Sequence, residues 1–188
     1  FADAHAWMAA PAADPQRSRD YRRLLVGNTE HHASQAARIR PGRALTGLQP
    51  TALDQAESSY HDSEEEGTSQ ISVRAADGSY ASLTTTLHQH FGSGIIVDGY
   101  FLNNSLRNFT VGAGPGQPNG RQAGIAPRTA MAPLLIFRGD RPVAALGSPG
   151  GVAIPSYNLK VVVALLDWGY SPDRAVRLLN FGALGRDR

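Results

Sequence analysis

The chain has 188 residues, enough for one domain with a sizeable core, and a formal net charge of +2. Its arginines are scattered rather than gathered into a stripe, which argues against a nucleic-acid partner. There is no Cys, so disulfides and cysteine-based metal sites are excluded, and no apolar run reaches the length of a membrane span.

Zero Cys suits an oxidising compartment, periplasmic or secreted, without fixing one. Phe1-Ala2-Asp3-Ala4-His5 has neither the basic start nor the long apolar stretch of a signal peptide. The chain opens as if in mid-helix, as a fragment of a longer protein would. Residues 1–11 read as helical, and Pro11 stops the run. Asp14-Pro15 reads as an N-cap followed by the first helical position, and Gly27-Asn28 ends that helix. A third helix, Ala-rich and weakly amphipathic, is predicted from Glu30 to Ile39 and broken by Arg40-Pro41-Gly42. His31-His32 falls within it, on the surface. From Pro41 to Gly67 no period is visible, and Asp62 to Glu66 is almost entirely acidic. This reads as a long exposed linker.

After Thr68 the period becomes two. Ile71 and Val73 share one face, Gln70 and Ser72 the other. Asp77-Gly78 supplies a turn, and Tyr80 to Leu87 is the return strand, which brings Thr86 back beside Thr68. Ile95-Ile96-Val97 is a short apolar run, and residues 112–127 are a surface loop rich in Gly, Pro, Gln and Asn. A second hairpin is predicted from Leu134–Phe137 and Val143–Leu146, with Pro142 at a strand entry. After Gly147-Ser148-Pro149-Gly150-Gly151, a helix runs from about Ile154 to Trp168, with Leu159, Val162, Val163 and Leu166 at helical spacing and Gly169 closing it. Ser171-Pro172 starts a last helix through Leu179.

The chemistry-bearing stretch is Glu65-Glu66-Gly67-Thr68-Ser69-Gln70. Here an acidic run passes one Gly and enters a strand led by Thr. Cleavage between Gly67 and Thr68 would leave Thr68 with a free α-amine beside its hydroxyl. Such an amine titrates near ~8, so it can act as the base that a weak Thr nucleophile needs. An ordinary loop-to-strand boundary would look the same locally. Likewise the Glu run serves either as a solvated charge cluster or to keep the Gly67-Thr68 bond accessible.

Four stretches together resemble the gamma-glutamyltransferase family of N-terminal-nucleophile hydrolases. They are Gly67-Thr68 with Ile71-Ser72-Val73; Asp77-Gly78 through Thr86-Leu87 to Phe91-Gly92-Ser93-Gly94-Ile95; Leu102-Asn103-Asn104 to Phe109; and Gly147-Ser148-Pro149-Gly150-Gly151. Their order and spacing match over residues 68–180. Phe1-Ala2-Asp3, Asp14-Pro15 and Ile39-Arg40-Pro41-Gly42 resemble the end of the family's large subunit. The resemblance implies an α+β fold, a four-layer αββα sandwich seen here in part. Residues 1–67 would be the C-terminal end of a large-subunit-like region with an acidic linker. Residues 68–188 would be a small-subunit-like region starting at the nucleophile and incomplete at its C-terminus. The partners implied are a small-molecule or peptide amide substrate and the protein's own large-subunit portion; no cofactor is implied.

By the same resemblance Thr68 is the nucleophile and Gly67-Thr68 the self-cleavage site. Thr86 is the second threonine that hydrogen-bonds the nucleophile, although Thr also simply favours a strand. Gly150 and Gly151 supply the oxyanion-hole N–H groups, in a place where a strand-to-helix turn also wants Gly. The substrate-binding positions depart from the family. His88 stands for an Asn, Ser105 for a Gln and Asn108 for the Asp that pairs with a substrate ammonium. Thr129-Ala130 stands for a Ser-Ser pair. Asn108 offers no carboxylate, and Ala130 cannot donate to one. His88-Gln89-His90 also admits a metal reading, because two His at i and i+2 on a strand share a face. No third ligand has matching spacing, so His88 is read as a pocket residue and no metal is expected. The resulting expectation is an amide hydrolase or acyltransferase with altered acyl specificity. The alternatives are an ordinary gamma-glutamyltransferase, or glutathione hydrolase, and a catalytically silent relative. Retention of Thr68, Thr86, Gly150 and Gly151 argues against silence.

Overall fold

The computed structural model describes residues 28–40, 42, 67–117 and 119–181. The helices expected over 1–11 and 14–26 and the acidic linker lie outside the described residues. Those described fall into two compact units. One holds residues 28–40, 42 and 106–129, and the other residues 67–105 and 130–181.

In the first unit, α1 (Thr29–Ala37) begins where Asn28 Oδ1 accepts the His31 N–H at 2.9 Å. Asn28 therefore starts a helix, where the sequence reading had it end one. The helix also stops before Ile39. The Arg38 and Ile39 N–H groups reach back only three residues, to Gln35 and Ala36, which tightens the last turn. No residue of α1 is buried.

Residues 112–127 read as a surface loop in the sequence, yet the 106–129 segment that contains them has an internal frame. Asn119 is 2 % exposed and has φ +49°. Its Nδ2 donates to the Asn108 carbonyl at 2.6 Å, and its Oδ1 accepts the Arg128 N–H at 2.8 Å. A Cβ on Gly120 would overlap the Gly114 carbonyl, so only Gly fits that crossing.

In the second unit, β1 (Thr68–Arg74) and β2 (Tyr80–Thr86) pair antiparallel in a register running from Thr68↔Thr86 to Arg74↔Tyr80. Gly78, at φ +88°, makes the turn, and Asp77 Oδ1 accepts the Ser79 N–H at 2.9 Å. That bond, with the Ser79 hydroxyl, holds the Asp77 carboxyl below its ordinary pKa. The hairpin buries its polar face. Ile71, Val73 and Leu83 are about half exposed, while Thr68 and Thr84, on the opposite face, are buried. A second hairpin, β3 (Ile96–Val97) with β4 (Tyr100–Phe101), is only two residues deep.

β5 (Leu134–Arg138) and β6 (Arg141–Leu146) form the third hairpin. Its register slips between Ile136 and Phe137, opposite Pro142. Proline cannot donate to the ladder, so a bulge there costs little. The end of β6 lies against the polar face of β1 and β2, where the Ser82 hydroxyl donates to the Leu146 carbonyl at 2.9 Å.

A short 3-10 turn, Gly151–Ala153, leads into α2 (Ile154–Leu166), with Pro155 in its first turn. The buried residues of α2 are Ile154, Ser156, Asn158, Lys160 and Ala164, whereas Leu159 and Leu166 are exposed. The apolar spacing therefore predicts the helix but not its inward stripe. This helix is apolar nearly all round, so spacing alone does not choose the inward face; polar anchors do. Asn158 Nδ2 donates to the Ala132 carbonyl at 2.7 Å. Lys160, the single lysine of the chain, donates to the Leu178 carbonyl at 2.9 Å and to Asn180 Oδ1 at 2.6 Å. Burial holds its ammonium below the ordinary lysine pKa. Gly169, at φ +65°, closes the helix end, with the Tyr170 N–H on the Ala164 carbonyl at 2.9 Å. α3 (Pro172–Val176) is capped by Ser171 and ends before Leu179. Among the described residues no helix is long and apolar enough to cross a membrane.

Candidate active site

The strand register puts Thr68 directly opposite Thr86, with their hydroxyl oxygens 3.2 Å apart. β2 ends at Thr86. Two residues on, His88 takes a left-handed backbone, φ +72°, unusual for a residue with a Cβ. That twist turns its N–H back onto Thr86 Oγ1 at 2.8 Å. Thr86 Oγ1 therefore accepts twice, from the His88 N–H and from the Thr68 hydroxyl. Thr68 is 9 % exposed and His88 1 %, so these bonds act away from bulk water.

The turn of chain at His88 also removes the metal reading. His88 and His90 do not sit on a strand, and among the described residues no group of three His, Cys, Asp or Glu side chains could hold a metal ion.

Gly67 lies beside this turn. It has φ +125°, and a Cβ there would stand 3.9 Å from the Gln89 carbonyl and 4.0 Å from that of His88. Ser105 is tied in through its neighbour. Asn104 Nδ2 donates to Gln89 Oε1 at 2.8 Å, Asn104 Oδ1 accepts the Gln89 N–H at 3.3 Å, and the Asn104 N–H meets the Leu87 carbonyl. Asn103 Oδ1 then accepts the Ser105 N–H at 3.0 Å.

Gly150 and Gly151 follow β6. Their φ values are +130° and +53°, conformations that favour Gly. A Cβ on Gly150 would press on the Tyr157 ring at 2.5 Å. Among the described residues neither glycine donates its N–H to a backbone carbonyl. Ala130 is buried in this unit, on the segment that Asn158 anchors through Ala132. Asn108 and Thr129 belong to the other unit, where Asn119 holds the Asn108 carbonyl and the N–H of Arg128, next to Thr129. Gln70, two residues after Thr68 on β1, and Asn119, in the unit that holds Asn108 and Thr129, were not legible as anchors from the sequence. A lone Asn in a Gly- and Pro-rich loop carries no signal, and Gln70 was one alternating strand residue.

Thr68 and Thr86 thus face each other at the head of the hairpin, and two adjacent positive-φ glycines follow β6. The family model described as Gamma-glutamyltranspeptidase matches residues 1–182. The chain belongs to this family. The glutathione hydrolase proenzyme of Bacillus subtilis (strain 168) is 38 % identical over 111 residues, which covers 58 % of this chain and 19 % of that protein. The glutathione hydrolase proenzyme of Escherichia coli (strain K12) is 32 % identical over 161 residues, 79 % of this chain and 25 % of that protein. Among solved structures, gamma-glutamyltranspeptidase from Pseudomonas nitroreducens in complex with L-DON gives a TM-score of 0.53 at 27 % identity. That match covers 58 % of this chain and 62 % of that one. The chain thus spans about a fifth to a quarter of these two curated relatives. Within the gamma-glutamyltranspeptidase family, the α+β character of the described residues agrees with the structural relatives.

Proposed function

We propose that the whole protein is a gamma-glutamyltransferase-like amide hydrolase or acyltransferase that works through an acyl-enzyme on Thr68. The observation that carries this reading is the Thr68–Thr86 hydroxyl pair at 3.2 Å, with the His88 N–H on Thr86. In the precursor, Thr68 Oγ1 attacks the Gly67 carbonyl carbon. The Gly67–Thr68 amide breaks, and the nitrogen takes up a proton as the new α-amine. Water then opens the ester, leaving a Gly67 carboxylate and a free Thr68 hydroxyl. In the mature protein the Thr68 amine accepts the hydroxyl proton during attack on the substrate amide. Thr86 stabilises the nucleophile, and the Gly150 and Gly151 N–H groups receive the carbonyl oxygen. The relatives' description as proenzymes supports the cleavage step. Residues 68–188 then form the small-subunit part of a four-layer αββα sandwich, completed by a large-subunit portion to which residues 1–67 belong.

The acyl pocket is altered at His88, Ser105, Asn108, Thr129 and Ala130, so an acyl group lacking the α-ammonium of a γ-glutamyl group is the favoured donor. The second reading, an ordinary glutathione hydrolase, is favoured by the names of the relatives. Mass spectrometry of the denatured full-length protein tests the core of the proposal. Wild type should give two subunits, the smaller starting at Thr68, and a Thr68 acyl adduct during turnover; Thr68→Ala should stay one chain. A wild-type precursor still intact after long incubation at neutral pH defeats it.

A further inference from the structure

We infer that Gln70 is a positioning residue that sets the Gly147–Gly151 segment against the nucleophile strand; the inference rests on the reading of Thr68 and the glycine pair above. Gln70 stands two residues after Thr68, on the same face of β1. A strand residue on a sheet face normally makes one cross-strand contact, but this amide is held from both ends. Its Nε2 donates to Ser82 Oγ at 2.9 Å, and to the Ile71 carbonyl and Ser72 Oγ at 3.1 Å each. Its Oε1 accepts from the Thr84 hydroxyl at 2.5 Å. The donor chain continues, since Ser82 Oγ passes its own proton to the Leu146 carbonyl at 2.9 Å. Leu146 is the last residue of β6, and Gly147 follows.

Gly147 makes the second contact. A Cβ added there would overlap the Gln70 carboxamide. The amide thus fills the space that any other residue at 147 would need, and its bonds to Ser82 through one end and to Thr84 through the other keep it from swinging aside. Gly147 has no left-handed backbone to explain its identity; the close approach of Gln70 explains it. Three residues on, Gly150 has its own Cβ space taken by the Tyr157 ring. The segment is therefore clamped by Gln70 at its start and by Tyr157 at the glycine pair, so its height over β1 follows from the length of the Gln70 side chain. A donor displaced by about an ångström loses much of its effect on a developing oxyanion.

The test is a double-mutant cycle in the full-length, self-processed protein, using Gln70→Ala, Gly147→Ala and the pair. The readouts are kcat and KM on a chromogenic acyl anilide. Gln70→Ala should lower kcat about 10- to 100-fold, less than outright loss of an oxyanion donor, with KM within about threefold. Gly147→Ala should lower kcat by about tenfold when Gln70 is present. With Ala at 70 the new methyl has room, so the second substitution should change kcat less than about twofold. Ser82→Ala, which removes both the bond to Leu146 and the Ser82 acceptor of the Gln70 amide, should show the same kcat-selective loss in milder form. Additive effects of the pair, or losses confined to KM or to folding yield, overturn the inference. Wild-type acylation of Thr68 is read separately by intact mass. Acylation with an additive cycle removes the role of Gln70 alone, whereas absence of acylation removes the parent reading and this one with it.

Discussion

Replacing Thr86 by Val removes one hydroxyl and keeps the branched shape that suits β2. The structure says what that hydroxyl does. It lies 3.2 Å from Thr68 Oγ1 and accepts the His88 N–H at 2.8 Å. Two losses follow. The His88 N–H, in a residue 1 % exposed, loses this acceptor, which costs about 1–3 kcal/mol of folding stability, and the Thr–Thr bond adds about 0.5–1.5 kcal/mol. In the transition state of the proposed mechanism, Thr68 Oγ1 carries developing charge and its partner is worth more, about 1.5–3 kcal/mol, hence roughly 10- to 150-fold in rate. Thr86→Ser keeps the oxygen and should stay within about fivefold of wild type, since only packing changes. The assay is pre-steady-state acylation of the self-processed protein with an acyl p-nitroanilide, in which the burst rate reports attack by Thr68. Self-cleavage of the precursor should slow in the same order. A Val variant that acylates at the wild-type rate, or a Ser variant as slow as Val, would show that the 3.2 Å contact is incidental.

Asn108→Asp supplies the carboxylate that a substrate ammonium needs. Because a buried charge pair lost on one side typically costs ~2–5 kcal/mol, the exchange should move the ratio of kcat/KM for γ-glutamyl over glutaryl anilide upward by tenfold or more. A wild type already preferring γ-glutamyl by about a hundredfold sinks that argument. Asn119→Ala leaves the Asn108 carbonyl and the Arg128 N–H without this partner, so about 2–4 kcal/mol of stability should be lost. With Asn108 lining the proposed acyl pocket, KM should rise more than kcat falls, because Asn119 holds the Asn108 carbonyl; a selective kcat loss would contradict it. Lys160→Met removes two bonds to Leu178 and Asn180. In wild type the Lys160 pKa is lowered by burial. Between that value and the unfolded 10.5 the folded chain binds fewer protons, so this group's contribution to stability rises with pH. Denaturant unfolding should show the wild-type minus Met difference growing in wild type's favour as pH climbs through that alkaline window; a falling difference refutes the assignment.

Local chemistry made much of the chain legible before any coordinates. The period of two after Thr68, the Asp77-Gly78 turn and the Pro142 strand entry determine two hairpins, because alternation and turn residues act over a few positions. The first hairpin's register then follows, and with it the meeting of Thr68 and Thr86. The positive-φ glycines at 150 and 151 were equally readable, since Gly is the residue that pays least for that backbone. What the sequence left open was direction and long-range support. An α2 whose apolar residues spread round the helix does not reveal its inward stripe, and Asn158 and Lys160 chose it by finding carbonyls at Ala132 and Leu178. His88 continues a strand-like run on paper, yet the chain twists there to bring its N–H onto Thr86. Gln70 and Asn119 were unremarkable polar residues until tertiary contacts, 12 residues away at Ser82 and 11 at Asn108, gave every polar atom of their amides a partner. Side-chain amides carry no periodic signal. Their role comes from desolvation, which makes an unpaired polar group costly wherever the fold happens to bury it.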